Sequence, residues 1–332
     1  MAKKAKIIGM GSYLPKKVLS NKDLEKMVET SDAWIIARTG MKERRLAEQG
    51  EYTSDMGYEA AKQALKDAKV HPHEVDLILF ATITPDYVCP STACLVQKRL
   101  GAKNAAAMDI QAACTGYLYG LSMAKAYVES LHCKTVLVVA SEKLSSIVNY
   151  QDRNTCVLFG DGASACVVSY ERCGYTINNV FLGADGEQAQ LLVVPAGGSK
   201  QPASFETVQQ GLHFLQMEGK EMFKYAIRKM EQAVKHCLHV AGITEKEVSW
   251  IVPHQANIRI IESLAKRLKI ALDKVFITIH KYGNTSASSV GIALNELRKE
   301  KSMKMGAYIL LSAFGAGLTW GAATLLYEGE EG

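Results

Sequence analysis

Two stretches of the chain carry the same pattern of apolar and polar positions. Ala64 to Phe80 (ALKDAKVHPHEVDLILF) and Cys237 to Pro253 (CLHVAGITEKEVSWIVP) align Leu65 with Leu238, Ala68 with Ala241, Val70 with Ile243 and Glu74-Val75 with Glu247-Val248. All four pairs lie about 173 residues apart along the chain. Each copy predicts the end of an amphipathic helix, a polar turn and a short apolar strand of the buried parallel kind. The echo continues at Lys98-Arg99-Leu100 with Lys266-Arg267-Leu268 and at Thr135 to Ser141 (TVLVVAS) with Ala307 to Ala313 (AYILLSA). It ends at Gly162 to Glu171 with Trp320 to Glu328, where both copies close on Tyr-Glu.

Four matches in one order, at separations of about 157 to 173 residues, make duplication the expected origin of the chain. Strands alternate with helices in each half, so two α/β units are expected, residues 1–172 and 173–332, each a mixed sheet covered by helices on both faces. Such a molecule places one site between its halves, fed by equivalent loops from both.

Composition narrows the function classes. The chain has 332 residues, 48% hydrophobic and 22% charged, which is the makeup of a folded protein with a sizeable core. A net charge of +5, not gathered in one block, does not call for nucleic acid and suits an acidic partner or a phosphate-bearing ligand. No stretch approaches twenty uninterrupted apolar residues, and Ile7 to Ser12 is too short for a signal segment, so no membrane span and a cytoplasmic location are expected. The eight cysteines are spread thinly, and most are expected to be reduced, buried small residues. Cys89/Cys94 and His236/His239 have spacings that metal ligands use, but neither has a second pair nearby, so no metal site is expected.

One cysteine stands apart. Ala105 to Ala113 (AAAMDIQAA) predicts a strand of small residues, and Thr115 to Leu131 a helix, with Tyr117, Leu121, Ala124, Val128 and Leu131 recurring at steps of three and four. Cys114 falls at the turn between them, where unpaired N–H groups of a helix start favour a thiolate and bring the pKa towards 7 or below. Gly116 allows close backbone packing there, and Ala112 and Ala113 leave room for a ligand.

Three segments of the second half complete the constellation. His254, in Val252-Pro253-His254-Gln255-Ala256-Asn257, emerges at the end of the repeated apolar strand, before a helix that starts near Ile258. Asn284, in Tyr282-Gly283-Asn284-Thr285-Ser286-Ala287-Ser288, precedes a helix over Val290 to Arg298 and occupies roughly the place that Cys114 holds in the first half. Ala313-Phe314-Gly315-Ala316-Gly317 follows a strand over Tyr308 to Ser312 and could present backbone N–H groups to an oxyanion.

Together with Thr30 to Arg45 (TSDAWIIARTGMKERR), the segments DIQAACTG, VPHQANIRII, YGNTSASS and AFGAGLTWG resemble, in order and at family spacing over nearly the whole chain, β-ketoacyl-acyl carrier protein synthase III of the thiolase superfamily. Asn284 suits the initiating synthases, since elongating synthases place a second His there and thiolases a second Cys. The resemblance implies a thiolase-like fold of two duplicated α/β halves in αβαβα layers. It also implies the initiating condensation of type II fatty acid synthesis, by a homodimer that uses acyl-CoA and malonyl-acyl carrier protein and needs no cofactor.

Carried over residue by residue, the resemblance makes Cys114, His254 and Asn284 catalytic, with the N–H groups of Cys114 and Ala316 as the oxyanion hole. Family members often have Gly where this chain has Ala316. Thr30, Trp34, Arg38, Arg153, Gly219, Phe223 and Asn257 would contact CoA, the adenine lying between Trp34 and Arg153. Gln255 and Arg259 would meet the carrier protein, and Cys89 and Phe314 would bound the acyl pocket. Thr84 to Thr92 (TPDYVCPST) resembles the family segment that crosses the dimer to close the neighbouring subunit's acyl pocket, and Cys89 stands where many relatives that use short primers have Phe, which implies a deeper pocket. The competing readings are a starter-loading ketosynthase or acyltransferase of secondary metabolism and a non-catalytic acyl-CoA or carrier-protein binding module. The intact Cys, His and Asn argue against the second.

Overall fold

A computed structural model describes residues 3–329. Nine strands form the main sheet: β1 (Lys6–Tyr13), β2 (Leu77–Ala81), β3 (Ala106–Ile110), β4 (Thr135–Glu142), β5 (Gly162–Ser169), β6 (Tyr175–Ala184), β7 (Val248–Pro253), β8 (Tyr308–Gly315) and β9 (Thr319–Tyr327). Their order is β7-β8-β9-β6-β1-β5-β4-β2-β3. Read outward from the centre, β1-β5-β4-β2 and β6-β9-β8-β7 follow one plan, two antiparallel pairings and then a parallel one.

Two separate sheets were expected. Instead β1 and β6 pair at Lys6 with Thr176 and Ile7 with Tyr175, joining both sets of strands into one sheet. β3 adds a fifth strand beyond β2, whereas beyond β7 the corresponding place holds only a bridge between Ile251 and Val275.

Seven longer helices cover this sheet: α1 (Asp32–Thr39), α2 (Thr53–Asp67), α3 (Thr92–Leu100), α4 (Gly116–Glu129), α5 (Gly219–Ala241), α6 (Ile258–Leu268) and α7 (Ser288–Glu300). α4 and α7 lie in the middle layer, where Leu118, Leu121, Val290 and Leu294 pack with Leu79, Val138, Val168, Ile309 and Leu325 from strands of both halves. α2 covers the opposite face of the first set of strands through Met56, Ala60 and Ala64, and α5 and α6 cover the second through Met230, Val234, Ile261 and Leu264. These are the expected αβαβα layers.

Several expected boundaries shift. The strand before Cys114 is shorter, ending at Ile110, and β8 runs on to Gly315 because Ala313, Phe314 and Gly315 stay in register with Gly321, Trp320 and Thr319. Of the eight cysteines only Cys114, Cys156, Cys166 and Cys237 are buried, while Cys89, Cys94 and Cys173 are exposed, so burial was over-expected.

Beside the middle layer lies Arg44, fully buried on the short strand Glu43–Leu46. Its Nη1 donates to Leu19 O at 3.2 Å and to Asn21 Oδ1 at 2.8 Å, and its Nη2 to Val157 O at 2.7 Å. Burial lowers its pKa to about 10, so it keeps its charge at neutral pH. These bonds tie the N-terminal hairpin, in which Lys17–Ser20 pairs with Glu43–Leu46, to the loop that carries Leu158 and Gly160, which in turn bracket Asn284: Asn284 N donates to Leu158 O at 2.9 Å and Gly160 N to Asn284 O at 3.0 Å. Arg44→Met fills much of the volume but strands three acceptors. It is expected to cost about 3 kcal/mol or more of unfolding free energy, read from urea melts. A change below about 0.5 kcal/mol would show that the bonds do not hold the loop.

Candidate active site

The Cys114 turn is built by close packing. Residues Ala113–Thr115 form a short 3-10 turn before α4, and Ala113 sits at φ 44°, the left-handed region that a residue with a Cβ adopts only when its surroundings enforce it. A Cβ on Gly116 would come within 2.8 Å of the Ala81 Cβ and 3.3 Å of the Ala287 Cβ, so the starts of α4 and α7 approach each other as the small residues allow. From β8, a Cβ on Gly315 would lie 2.7 Å from Cys114 N. Thr319 Oγ1 sits 3.1 Å from Ala112 O, 3.0 Å from Ala316 O and 2.9 Å from Thr115 Oγ1, which fastens the Ala316 turn to the Cys114 turn.

Burial pushes the Cys114 thiol up to about 12; the Ser286 hydroxyl beside it works in the other direction and Glu142 adds to the rise. The helix start was expected to lower this pKa. In this enclosed site desolvation of the thiolate is the larger effect, so the resting form is the thiol.

His254 follows β7 directly, with its N–H donating to Ser312 O at 2.7 Å. Its Nδ1 lies 2.6 Å from Ser289 Oγ, and burial lowers its pKa to about 3, so the ring is neutral. Gln255 N donates to the same Ser289 oxygen at 3.4 Å. In the tautomer in which the Ser289 hydroxyl donates to Nδ1, the ring proton sits on Nε2, which is then a donor. Asn284 Oδ1 accepts from Ser286 N at 2.8 Å, which orients Nδ2 as the donor end of the amide. The three expected catalytic residues are thus connected through one segment: Ser286 adjoins Cys114 and bonds Asn284, and Ser289 holds His254.

The remaining expected residues fall into three groups. Trp34 on α1 is half-buried, with the Arg38 and Arg153 Cζ atoms 5.8 and 4.9 Å from its ring centroid. Arg153 also donates to Glu29 O at 3.0 Å, which sets its guanidinium against the Trp34 ring. Thr30 is half-buried close by in sequence. Gly219 opens α5 on an exposed stretch, and Phe223, one turn on, lies under the exposed Arg259, whose Cζ is 5.6 Å from its ring. Asn257 caps α6 by accepting from Arg259 N at 2.9 Å, and α1 meets α6 where Gly40 abuts Ile258.

Gln255 is a correction. Expected on the carrier-protein surface, it is buried, its Nε2 donating to Pro253 O at 2.7 Å and its Oε1 accepting from Thr278 N at 2.9 Å and Ile279 N at 3.1 Å. All its polar capacity goes into bracing the His254 loop. Cys89 and Phe314 are not brought together within the chain. Cys89 is on an exposed loop beside Val88, which is 96% exposed, and Phe314 packs with Met222, Leu318 and Trp320 on the α5 side of β8. Sequence reading missed Ser286, Ser289 and Glu142. Only Glu142 left a signal, an acid closing an otherwise apolar strand. Among the described residues no group of three His, Cys, Asp or Glu side chains is placed to hold a metal, and no helix is long and apolar enough to cross a membrane.

A buried thiol at a helix start, joined through one segment to a neutral imidazole and an amide donor on a doubled α/β frame, defines a thiolase-like condensing enzyme. The description "3-Oxoacyl-[acyl-carrier-protein (ACP)] synthase III" matches residues 108–186, and its C-terminal counterpart matches residues 238–327. The chain is 58% identical over 324 residues to the β-ketoacyl-[acyl-carrier-protein] synthase III of Chlamydia pneumoniae, covering 97% of each chain. Its structure resembles the 3-oxoacyl-[acyl-carrier-protein] synthase III of Aquifex aeolicus, with a TM-score of 0.90, 49% identity and coverage of 97% of this chain and 100% of that one. The priming β-ketosynthase of the R1128 polyketide pathway is also similar, with a TM-score of 0.91, 34% identity and coverage of 99% and 98%. The chain belongs to the β-ketoacyl-acyl carrier protein synthase III family and is an acyltransferase of the condensing kind.

The buried imidazole makes a stability prediction whose sign follows from its lowered pKa. Unfolded His254 takes a proton below about pH 6.5, while folded His254 stays neutral until about 3. Stability is therefore lost as pH falls through that window. Between pH 7.5 and 5 wild type should lose roughly 2 kcal/mol more than His254→Asn in denaturant melts. Equal losses would mean the ring is not held neutral.

Proposed function

We propose that Cys114 carries the acyl group, and that His254 and Asn284 stabilise the enolate, in the initiating condensation of type II fatty acid synthesis. The observation that carries this reading is the pair of side chains: a neutral His254 whose Nδ1 is paired with the Ser289 hydroxyl, and an Asn284 amide oriented by Ser286 N. Two neutral donors suit an oxygen that becomes negative during reaction, since they need no proton transfer to act.

In the first half-reaction Cys114 sulfur attacks the acyl-CoA carbonyl, the thioester forms on the enzyme and CoA departs. Malonyl-acyl carrier protein then replaces it. Its carboxylate leaves as carbon dioxide, and the electron pair moves onto the thioester oxygen as an enolate, held by His254 Nε2 and Asn284 Nδ2. The enolate carbon attacks the acyl carbonyl, whose oxygen is received by the N–H groups of Cys114 and Ala316. Collapse releases 3-oxoacyl-acyl carrier protein, and Cys114 leaves as a thiolate that takes up a proton. No resident cofactor enters any step.

The neighbouring roles complete the proposal. Trp34, Arg38, Arg153 and Thr30 receive the nucleotide end of CoA, and Gly219, Phe223 and Asn257 its pantetheine arm. The enzyme acts as a cytoplasmic homodimer in which Cys89 reaches the partner's acyl pocket. The halves 1–172 and 173–332 are read as one duplication, which the mirrored strand order supports. The R1128 neighbour shows that this fold also serves polyketide priming, so primer choice separates the rival reading. Intact-mass analysis against a panel of acyl-CoAs reports it.

Separation of the half-reactions tests the roles. Cys114→Ser should form no acyl-enzyme. His254→Ala and Asn284→Ala should still become acylated yet lose decarboxylation by about two or more powers of ten. Normal condensation by Asn284→Ala would remove it from the enolate site.

Docking is tested separately. Arg259 is exposed beside the tunnel residue Phe223, and Arg259→Glu should raise the apparent KM for malonyl-acyl carrier protein while leaving acylation by a small acyl-CoA nearly unchanged. Added salt should reduce the difference between the two enzymes. Equal loss in both half-reactions would instead assign Arg259 to CoA or to the fold.

A further inference from the structure

With His254 committed as a neutral donor, the first half-reaction lacks a base for the Cys114 proton, and the interior behind Cys114 holds an unused one. Glu142 closes β4 and is fully buried. Its Oε2 accepts from Thr82 Oγ1 at 3.1 Å, Ile83 N at 3.0 Å and Thr84 Oγ1 at 2.9 Å. Its Oε1 is also buried but closes no hydrogen bond, and neither does the buried Ser286 Oγ. The Ser286 hydroxyl nevertheless lies close enough to both the Cys114 thiol and the Glu142 carboxyl to oppose the effect of burial on each. Ser286 is held at φ 49°, in the left-handed region, with its N–H fixed on Asn284 Oδ1. A structural role in bracing the Thr82–Thr84 loop accounts for Oε2. It does not account for a second buried oxygen left without a partner near a serine hydroxyl that is itself buried and unpaired on a left-handed backbone.

We propose that Ser286 and Glu142 form a proton path for Cys114, Ser286 relaying and Glu142 receiving the thiol proton as the acyl group is transferred. This rests on Cys114 being the acylated residue. As the sulfur–carbon bond forms and the sulfur–hydrogen bond breaks, the thiol proton passes to Ser286 Oγ while the hydroxyl proton of Ser286 passes to Glu142 Oε1. CoA leaves as its thiolate and is protonated by water. When condensation later expels Cys114 as a thiolate, the same path returns the proton from Glu142. One turnover then consumes one proton from water overall, which balances the charge lost with the malonyl carboxylate as carbon dioxide.

The surroundings of Glu142 fit that use. The loop after β2 contributes only threonine hydroxyls and a backbone N–H, the start of α7 contributes Ser286, and the turn before α4 contributes Cys114. The neighbouring Lys143 directs its Nζ to the carbonyls of Glu48 and Glu51. With no cation on the carboxyl, burial raises its pKa to about 7, near the value at which a general base is most effective at neutral pH.

The test measures the half-reactions separately from about pH 5.5 to 8.5, acylation by rapid quench and intact mass, and decarboxylation by carbon dioxide release from malonyl-acyl carrier protein. Wild-type acylation should rise through about pH 7 and level off. Glu142→Gln, which keeps an acceptor for the Thr82–Thr84 donors, should slow acylation by about a hundredfold and abolish the inflection, shifting the ratio of the half-reactions by a similar factor. Ser286→Ala should do the same and serves if the first variant fails to fold. Wild-type acylation rates in either folded variant, a retained inflection in Glu142→Gln, or parallel loss of both half-reactions would overturn the relay. Absence of any acyl group on wild-type Cys114 would instead overturn the assignment of the nucleophile, and the relay with it.

Discussion

The site depends on the segment Asn284 to Ser289 being buried at the start of α7. Six consecutive residues, all within the protein interior, present an amide, two serine side chains and a turn to three different elements. Ser286 N orients the Asn284 amide, Ser286 Oγ adjoins Cys114, and Ser289 Oγ holds His254. The segment is anchored in turn by the backbone bonds between Asn284 and the Leu158–Gly160 loop, which Arg44 ties to the N-terminal hairpin. Displacing any part of it moves the partners of Asn284 and His254 and the neighbour of Cys114 together, so the arrangement is held as a unit.

Exclusion of water sets the protonation states across this unit. The same desolvation raises the Cys114 thiol, lowers the His254 imidazolium and raises the Glu142 carboxyl, because in each case it disfavours the charged form. The resting Cys114 thiol and His254 ring are therefore uncharged, and Glu142 is about half ionised near pH 7. That condition suits a reaction whose negative charge appears only on an enolate and a tetrahedral oxyanion, where donors in a dry site act most strongly. It also explains why a helix start alone is a poor guide to thiol acidity here: Cys114 has the helix position of an activated cysteine, but its surroundings disfavour the thiolate more than the terminus favours it.

The layered fold was legible because its signals are periodic. Apolar strands and amphipathic helices recur along the chain, and their repetition at a near-constant offset pointed to the doubled frame before any contact was known. The placement of Cys114, His254 and Asn284 was legible for a related reason, since each lies in the short turn just before a helix. Ser286, Ser289 and the burial of Gln255 were not. A serine that orients an imidazole and a glutamine that braces a loop are defined by which backbone atoms come within hydrogen-bond reach, and neither leaves a pattern in its neighbours along the chain. Cys89 and Phe314 lie apart within one chain, as a segment expected to reach a partner's pocket would. The Val88–Cys89 loop projects outward, and strand alternation turns Phe314 to the face opposite Ala313.

The mirrored strand order also clarifies how a doubled frame yields an unequal site. α4 and α7 are equivalent middle helices, and their starts meet where Gly116 abuts Ala287. One start carries the Cys114 thiol and the other follows Asn284 and carries Ser286 and Ser289, so the two copies present different side chains to one place. The inequality extends to the sheet edge: β3 persists as a strand beside β2, whereas its counterpart is reduced to the bridge between Ile251 and Val275. The backbone freed beyond that bridge does not stay unpaired. Gln255 takes the N–H groups of Thr278 and Ile279, and its own Nε2 donates to Pro253 O. The loss of a strand in the second half is thus coupled to the bracing of His254, which ties the less regular edge of the sheet directly to the chemistry at its centre.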